Sequence, residues 1–370
     1  MKTEAAILWG LGEKWSVEEV DLDPPKEQEV LVRLAASGLC HSDAHLVTGD
    51  VPIPFPVVGG HEGAGVVEEV GPGVVGIAPG DHIVLAFIPS CGHCHWCATG
   101  HSNLCDLGAG IILGPQLDGT HRFHARGADV GQMCMLGTFS PFTVVPAASV
   151  VKIDDDIPLE VAALVGCGVT TGFGSAVYTA EVRAGDTVVV MGAGGIGMNA
   201  VQGARIAGAE RIVVVDPIPF KREQSRLFGA THTAADVDEG WNIVSELTRG
   251  RMADAAIITT DVAESAYVAE ALSLVGKRGR VVATAIAHPT DTTVDMSLFE
   301  LTLYEKQLRG CVFGSANPQA DIPRLLSLYR TGLLKLDELV TQTYTLNGIN
   351  DGYQDMFDGR NLRGVIHHDH

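Results

Sequence analysis

Four of the eight cysteines, Cys91, Cys94, Cys97 and Cys105, fall within fifteen residues at the spacing C-x2-C-x2-C-x7-C. Thiolates are soft ligands suited to tetrahedral zinc, and four of them fill its coordination shell. A closed shell leaves no position for a substrate, so this metal is expected to be structural. Two local disulfides are the first alternative. An iron–sulfur cluster is the second, although ferredoxin spacings differ from this one. Three further residues can ligate metal: Cys40 in Gly-Leu-Cys-His-Ser-Asp, His61 in Gly-Gly-His-Glu-Gly and Cys167 in Val-Gly-Cys-Gly-Val. Two thiolates, one imidazole and a water make an open, catalytic zinc site. Spacing does not connect them, and a lone buried cysteine is more often a small hydrophobe.

A second pattern points to a nucleotide. Gly192-Ala193-Gly194-Gly195-Ile196-Gly197 follows the apolar run Thr187–Met191 and opens a helical pattern. This is G-x-G-x-x-G between strand and helix, the context that gives it meaning. The first glycine permits the tight turn, the second lets backbone approach a pyrophosphate, and the third lets helix pack on strand. A helix N-terminus then presents free N–H groups to phosphate. Asp216, nineteen residues beyond Gly197, ends the next strand pattern. A carboxylate there suits the adenosine ribose hydroxyls and repels a 2′-phosphate, which predicts NAD over NADP. The competing reading is a packing turn with Asp216 as a helix cap.

Around these motifs the chain divides into stretches of different character. Residues 1–165 hold short β-type runs, among them Glu29–Leu34, Gly65–Val70, His82–Ala86 and Phe142–Pro146, separated by Gly/Pro turns. They read as a mostly β, barrel-like domain. Beyond Cys167, strand patterns (Thr187–Met191, Arg211–Asp216, Ala255–Thr259, Arg280–Ala285) alternate with helical ones such as Met198–Ala207 and Ala266–Val275. Alternation of that kind means βαβ units and a parallel sheet. A helix is expected near Asp321–Thr331, and the histidine-rich end, His367-His368-Asp369-His370, is expected to be frayed and solvated.

Composition narrows the classes. The chain has 370 residues, 46% hydrophobic and 19% charged, with a net charge of −20. That is a globular, two-domain balance. An acidic surface repels polyanions, so no nucleic-acid partner is expected. No long apolar stretch or leader pattern is present, so no membrane association and a cytoplasmic location are expected. Thiols there stay reduced, which favours metal over disulfides for the cysteine cluster.

Gly60-His61-Glu62-Gly63-Ala64-Gly65, with Gly71 and Val74, resembles the signature of zinc-containing alcohol dehydrogenases of the medium-chain dehydrogenase/reductase superfamily. The likeness extends to the four-cysteine lobe, the Cys167-Gly-Val-Thr-Thr-Gly-Phe-Gly-Ser-Ala-Val segment, the glycine loop and the closing Asn361-Leu-Arg-Gly-Val-Ile. It implies an α/β chain with a GroES-like β-barrel catalytic domain (1–168, structural-zinc lobe about 90–106). A Rossmann doubly wound domain (169–312) and a C-terminal segment completing the first domain (313–370) follow. It implies two Zn2+ per chain and NAD(H), with Cys40, His61 and Cys167 on the catalytic zinc, Glu62 behind it and Asp43 orienting His61.

The same resemblance implies a proton relay through Ser42 and His45, and a hydride passing from a primary or aromatic alcohol to NAD. Cofactor contacts are implied at His41, Thr171, Lys221 and Arg363; His41 replaces a frequent arginine, which weakens a phosphate contact because histidine is only partly charged near neutral pH. Val51, Phe87 and Phe139 are expected to line a substrate channel between the domains. The run Leu308–Phe313 is expected to pair across a twofold axis in a homodimer or homotetramer. The chain also resembles an actinobacterial nicotinoprotein, dye-dependent branch, which implies bound NAD(H) reoxidised by an external acceptor such as the mycofactocin peptide. The rival within the fold is a dehydrogenase of S-hydroxymethyl thiol adducts, against which stands the lack of Lys and Arg in Asp106–Leu117. A remote rival is a non-catalytic zinc- and nucleotide-binding protein.

Overall fold

The computed structural model describes residues 1–288 and 290–369. The chain forms two compact units: Met1–Cys167 with Asn317–Gly332 and Leu336–His370, and Gly168–Ala316 with Leu333–Lys335.

The first unit is antiparallel β in character. Five short strands (Lys2–Leu8, Ser16–Leu22, Phe123–Ala125, Ala128–Gln132 and Val57–Val58) close into a barrel. A seven-stranded sheet stands beside it in the order Val150–Lys152, His82–Leu85, Gly63–Val70, Glu29–Gly38, Arg363–His367, Val340–Thr345, with Phe142–Pro146 also on Glu29–Gly38. Glu29–Gly38 is the spine of this sheet: Val30, Val32 and Leu34 point into the core while Leu31 and Arg33 stay partly exposed. That period of two marks a strand buried on one face. The core runs from Ala6 and Leu8 through Val30, Leu34, Leu46 and Ile83 to Ile349 and Ile366.

The second unit is a six-stranded, wholly parallel sheet in the order His232–Ala234, Arg211–Val215, Thr187–Met191, Ala253–Ile258, Val275–Ala283, Gln307–Gly310. Helices cover a parallel sheet on both faces, so its central strands are apolar runs. All five residues of Thr187–Met191 are buried. Gln307–Gly310 is the edge strand. Among the described residues no single helix is long and apolar enough to cross a membrane.

The chain's end departs from expectation. His367 closes the strand Arg363–His367, and His368 is buried with its ring 2.9 Å from Ser37 Oγ. A central strand flanked on both sides cannot fray, because its ladder bonds hold it. His370 lies outside the described residues.

One buried charge shapes the first unit without having been apparent in the sequence. Arg122 is fully buried. Its Nε donates to Glu29 Oε2 at 2.8 Å and its Nη2 to Asp118 Oδ2 at 3.0 Å. Glu29, 5% exposed, has its other donor in the Lys26 N–H at 2.8 Å. Removing one partner of a buried pair leaves an uncompensated charge. Arg122→Met is expected to lose about 3 kcal/mol in urea unfolding, and Arg122→Met with Glu29→Gln is expected to recover part of it.

Candidate functional site

Two clusters of metal-ligating side chains form in the first unit, each with its ligand atoms within 4.8 Å of one another: Cys91, Cys94, Cys97 and Cys105, and Cys40, His61, Glu62 and Cys167. All of these cysteines are free, so the disulfide alternative is set aside.

The four-cysteine cluster comes from one local turn. Cys94 caps the short helix His95–Ala98 with its sulfur, which accepts the Cys97 N–H at 3.5 Å. Cys91 and Cys105 sulfurs accept the N–H groups of Cys94 (3.3 Å) and Cys91 (3.4 Å). The Cys91–Cys97 and Cys94–Cys105 sulfurs lie 4.0 and 3.9 Å apart. Four sulfurs 2.3 Å from a central zinc sit about 3.8 Å apart, so the spacing suits that ion. The Cys97 backbone N–H draws Cys94 down to about 6, whereas burial pushes Cys105 up to about 12.

The second cluster is assembled from distant segments. Cys40 ends the turn after Glu29–Gly38 and precedes the helix His41–Thr48. His61 and Glu62 lead into Gly63–Val70, the strand paired with Glu29–Gly38. Cys167 follows the helical turn Leu164–Gly166. All four are buried. Asp43, fully buried, accepts the Gly60 N–H at 2.8 Å through Oδ1 and faces His61 Nδ1 at 3.3 Å. This is the carboxylate–imidazole pairing that fixes the tautomer of a metal ligand. The other imidazole nitrogen, His61 Nε2, is buried and has no hydrogen-bond partner.

The charges inside this cluster conflict. A hydrogen bond from Cys167 holds the Cys40 thiol well below its ordinary range, and its bond to Cys40, with burial, drives Cys167 well above. Burial alone would lower His61, but the charges of Asp43 and Cys40 outweigh it and raise it. Burial raises Glu62 against the pull of Arg363. Two sulfurs thus lie beside a buried imidazole nitrogen that has no hydrogen-bond partner. A divalent cation satisfies all three, so the donor set fits zinc.

Arg363, expected as a cofactor contact, is buried here instead. Its Nη2 pairs with Glu62 and donates to the Leu39 carbonyl at 3.0 Å. Gly38 makes room for that pair: a Cβ there would stand 2.0 Å from Glu62 Oε2. No sequence pattern singled out Gly38. Ser42 Oγ is 3.7 Å from Cys40 Sγ. His45 is buried, with Nδ1 3.1 Å from Asp50 Oδ2. His41, the first residue of that helix, is partly exposed. Phe87 sets its ring edge-on to His61, centroids 5.8 Å apart, and so borders the cluster. Val51 is partly buried against the core. Phe139, expected to line a channel, has no exposed surface and packs edge-on against Trp15 at 5.6 Å, as a core residue does.

The nucleotide residues gather in the second unit. Gly192 turns with φ +93° after Thr187–Met191, and the helix Gly195–Ile206 follows. Gly194 faces open space: a Cβ there would meet nothing within 4 Å. Gly197 is closed, its Cβ falling 1.9 Å from the Gly192 carbonyl oxygen. Asp216 ties the loop down, Oδ2 accepting the Ala193 N–H at 2.7 Å and Oδ1 the Ile218 N–H at 2.8 Å. It holds the two turns without capping either neighbouring helix, and its carboxylate keeps further lone pairs for a ligand. Thr171 lies in Gly168–Gly174, whose Gly172 packs on the Ile196 carbonyl; its Oγ1 is buried without a partner. Lys221 is partly buried in Pro219–Phe228, while the next residue, Arg222, bonds the Asp216 carbonyl at 2.6 Å.

The two glycines predict separable outcomes. Gly194→Ala is expected to leave thermal stability unchanged and to weaken NAD binding at least about tenfold by calorimetry. Gly197→Ala is expected to lower stability itself, since loop and helix must part.

Comparison with known proteins follows this geometry. Residues 26–155 match the family described as alcohol dehydrogenase GroES-like domain, and 195–331 match zinc-binding dehydrogenase. An NDMA-dependent alcohol dehydrogenase of Amycolatopsis methanolica is 56% identical, covering 100% of this chain and 99% of that protein. An S-(hydroxymethyl)glutathione dehydrogenase of Komagataella pastoris is 37% identical over 99% of this chain and 97% of its own. The crystal structure of benzyl alcohol dehydrogenase from Acinetobacter calcoaceticus superposes with a TM-score of 0.93 at 28% identity, with 100% of both chains covered. With two metal-ligand clusters, one of them wholly buried, a glycine loop opening a parallel sheet and this kinship along its whole length, the chain belongs to the zinc-dependent alcohol dehydrogenases of the medium-chain dehydrogenase/reductase superfamily.

Proposed function

We propose that this enzyme oxidises a primary or aromatic alcohol, with Cys40, His61 and Cys167 holding a catalytic zinc and Gly192–Gly197, Asp216 and Thr171 holding NAD. The observation that carries it is the buried meeting of two sulfurs, an imidazole nitrogen and a carboxylate. Zinc bound there supplies a Lewis acid for the alcohol oxygen, and NAD supplies the hydride acceptor.

The chain's own residues do the rest. Asp43 keeps Nε2 of His61 aimed into the cluster. Ser42 Oγ, beside Cys40, is placed to take the hydroxyl proton of the substrate. His45, one turn along the same helix and braced by Asp50, would carry that proton onward to water. Phe87 gives the substrate an apolar wall. Cys91, Cys94, Cys97 and Cys105 hold a second zinc with no reactive part, bracing their loop.

The name of the 56% identical relative supports an external acceptor that reoxidises tightly held NAD(H), with NDMA the first to assay. Leu113 and Leu117 present apolar surface where a thiol-adduct enzyme would need a cation, which favours simple alcohols. We infer a homodimer or homotetramer built on the edge strand Gln307–Gly310, whose open edge is otherwise an aggregation hazard.

The test is metal and nucleotide analysis with turnover. Wild type is expected to hold two zinc ions, one for each cluster, and NAD(H) through gel filtration, and to turn over benzyl alcohol with NDMA. Formaldehyde turnover that depends on added thiol would overturn the substrate class. Cys40→Ser is expected to abolish activity while retaining nucleotide. Cys94→Ser is expected to lower thermal stability before activity; near-normal turnover in Cys40→Ser would refute the ligand set.

A further inference from the structure

In the second unit the strand Gln307–Gly310 leads into a segment whose backbone its side chains resist. Phe313, Gly314 and Ser315 follow one another at φ +52°, +67° and +53°. Two of the three are not glycine, and such a run persists only where its surroundings over-determine it. Gly314 shows what those surroundings are: a Cβ there would stand 2.4 Å from the Thr170 carbonyl oxygen and 2.9 Å from that of Thr171. Gly174 is equally closed, its Cβ falling 2.2 Å from the Gly314 carbonyl oxygen. The segment is thus pressed onto the helix Gly168–Gly174, which carries Thr171. That helix runs on into Ser175–Thr179, where the Ala180 N–H reaches back five residues to the Ser175 carbonyl at 2.8 Å. Widened turns of this kind recur at functional sites.

Side chains of that turn tie down both the approach to the segment and its last residue. Ser175 Oγ donates to the Thr171 carbonyl at 2.6 Å and lies 3.4 Å from Cys311 Sγ. Thr179 Oγ1 donates to Cys311 Sγ at 3.1 Å and lies 2.8 Å from Ser315 Oγ. Each of these groups has one hydrogen to give. Ser175 gives its own to the carbonyl, so the Cys311 thiol donates to Ser175. Thr179 gives its own to Cys311, so Ser315 donates to Thr179. The bonds therefore run one way, from Ser315 through Thr179, Cys311 and Ser175 to the Thr171 carbonyl, and each strengthens the next. Thr284 Oγ1, 3.0 Å from Ser175 Oγ, joins from the side. Thr284 and Cys311 directly follow the strands Val275–Ala283 and Gln307–Gly310, at the carboxyl ends where open parallel sheets bind ligands.

We propose that this chain of hydroxyls and one thiol holds the strained segment Phe313–Ser315 against Thr171, and that Thr179 within it is a positioning residue for bound NAD. The inference rests on the nucleotide site proposed above, in which Thr171 holds the cofactor. Losing the Thr179 hydroxyl frees Ser315 and Cys311 from the turn. The segment then leaves its strained form for part of the time, and a cofactor that fits that form is held less tightly in proportion. Valine keeps the branched shape of Thr179 and serine keeps its hydroxyl, so the hydrogen bond is separable from the packing.

The test uses the full-length enzyme loaded with NADH, and reads NADH release into excess NAD by fluorescence, with thermal unfolding alongside. Thr179→Val is expected to release NADH about tenfold faster than wild type, the effect of leaving one buried partner unsatisfied. Thr179→Ser is expected to release it as wild type does. Cys311→Ala breaks the same chain and is expected to match Thr179→Val. The double variant is expected to release no faster than either single one, since one chain is broken once. Wild-type release in Thr179→Val, even with a lowered unfolding temperature, overturns the proposal. So does fast release in Thr179→Ser, or a multiplied effect in the double variant. Should Thr179→Val not fold, Cys311→Ala decides alone. Gly194→Ala in the same assay separates the two levels. If Gly194→Ala speeds release while Thr179→Val does not, the nucleotide site stands and the role of Thr179 falls. If Gly194→Ala releases NADH as wild type does, the nucleotide site falls and the role of Thr179 with it.

Discussion

Two cysteine sulfurs, an imidazole and a carboxylate are buried within 4.8 Å of one another, and this crowding governs the first unit. Charges so placed repel and are starved of water. The surrounding structure keeps them together regardless. Gly38 yields its side-chain space to Glu62, and Arg363 is buried to answer that carboxylate. Asp43 is committed to Gly60 and His61. A scaffold that holds unfavourable neighbours in place before the ion arrives is preorganised for it, at the expense of local stability.

The two metal clusters contrast in origin. Cys91, Cys94, Cys97 and Cys105 belong to one turn of chain, and N–H groups of the same turn reach their sulfurs. Cys40, His61 and Cys167 meet because the paired strands Glu29–Gly38 and Gly63–Val70 and the turn Leu164–Gly166 converge. The first can form with little else folded. The second exists only when the sheet has its register, since a slip of one residue would turn His61 to the other face.

Legibility in the sequence followed that difference. The four-cysteine site and the glycine loop were readable because spacing alone encodes them. The strand Thr187–Met191 was found at its true bounds, and Arg211–Val215 within one residue, because buried parallel strands are unbroken β-branched runs. The open cluster was reached only through family likeness; over a hundred residues separate His61 from Cys167. Arg363 was named only as an implied cofactor contact and is a buried counter-ion of Glu62, since nothing local marks the partner of a long-range pair. Phe139 and Tyr353 form an aromatic wall with Trp15 that no periodicity reveals. His367 and His368 look solvated by composition, yet backbone bonds to Glu29–Gly38 claim both.

That pairing has a consequence for biosynthesis. Arg363–His367 lies inside its sheet, bonded to Glu29–Gly38 on one side and Val340–Thr345 on the other. Until the ribosome has released these residues, the sheet is missing an interior strand and the 36–38 end of Glu29–Gly38 lacks its partner. The parallel unit is contributed almost wholly by Gly168–Ala316, so it can fold while translation continues. Nascent chains will therefore carry a finished nucleotide module and an unfinished metal-binding one, and chaperone demand should concentrate on the latter.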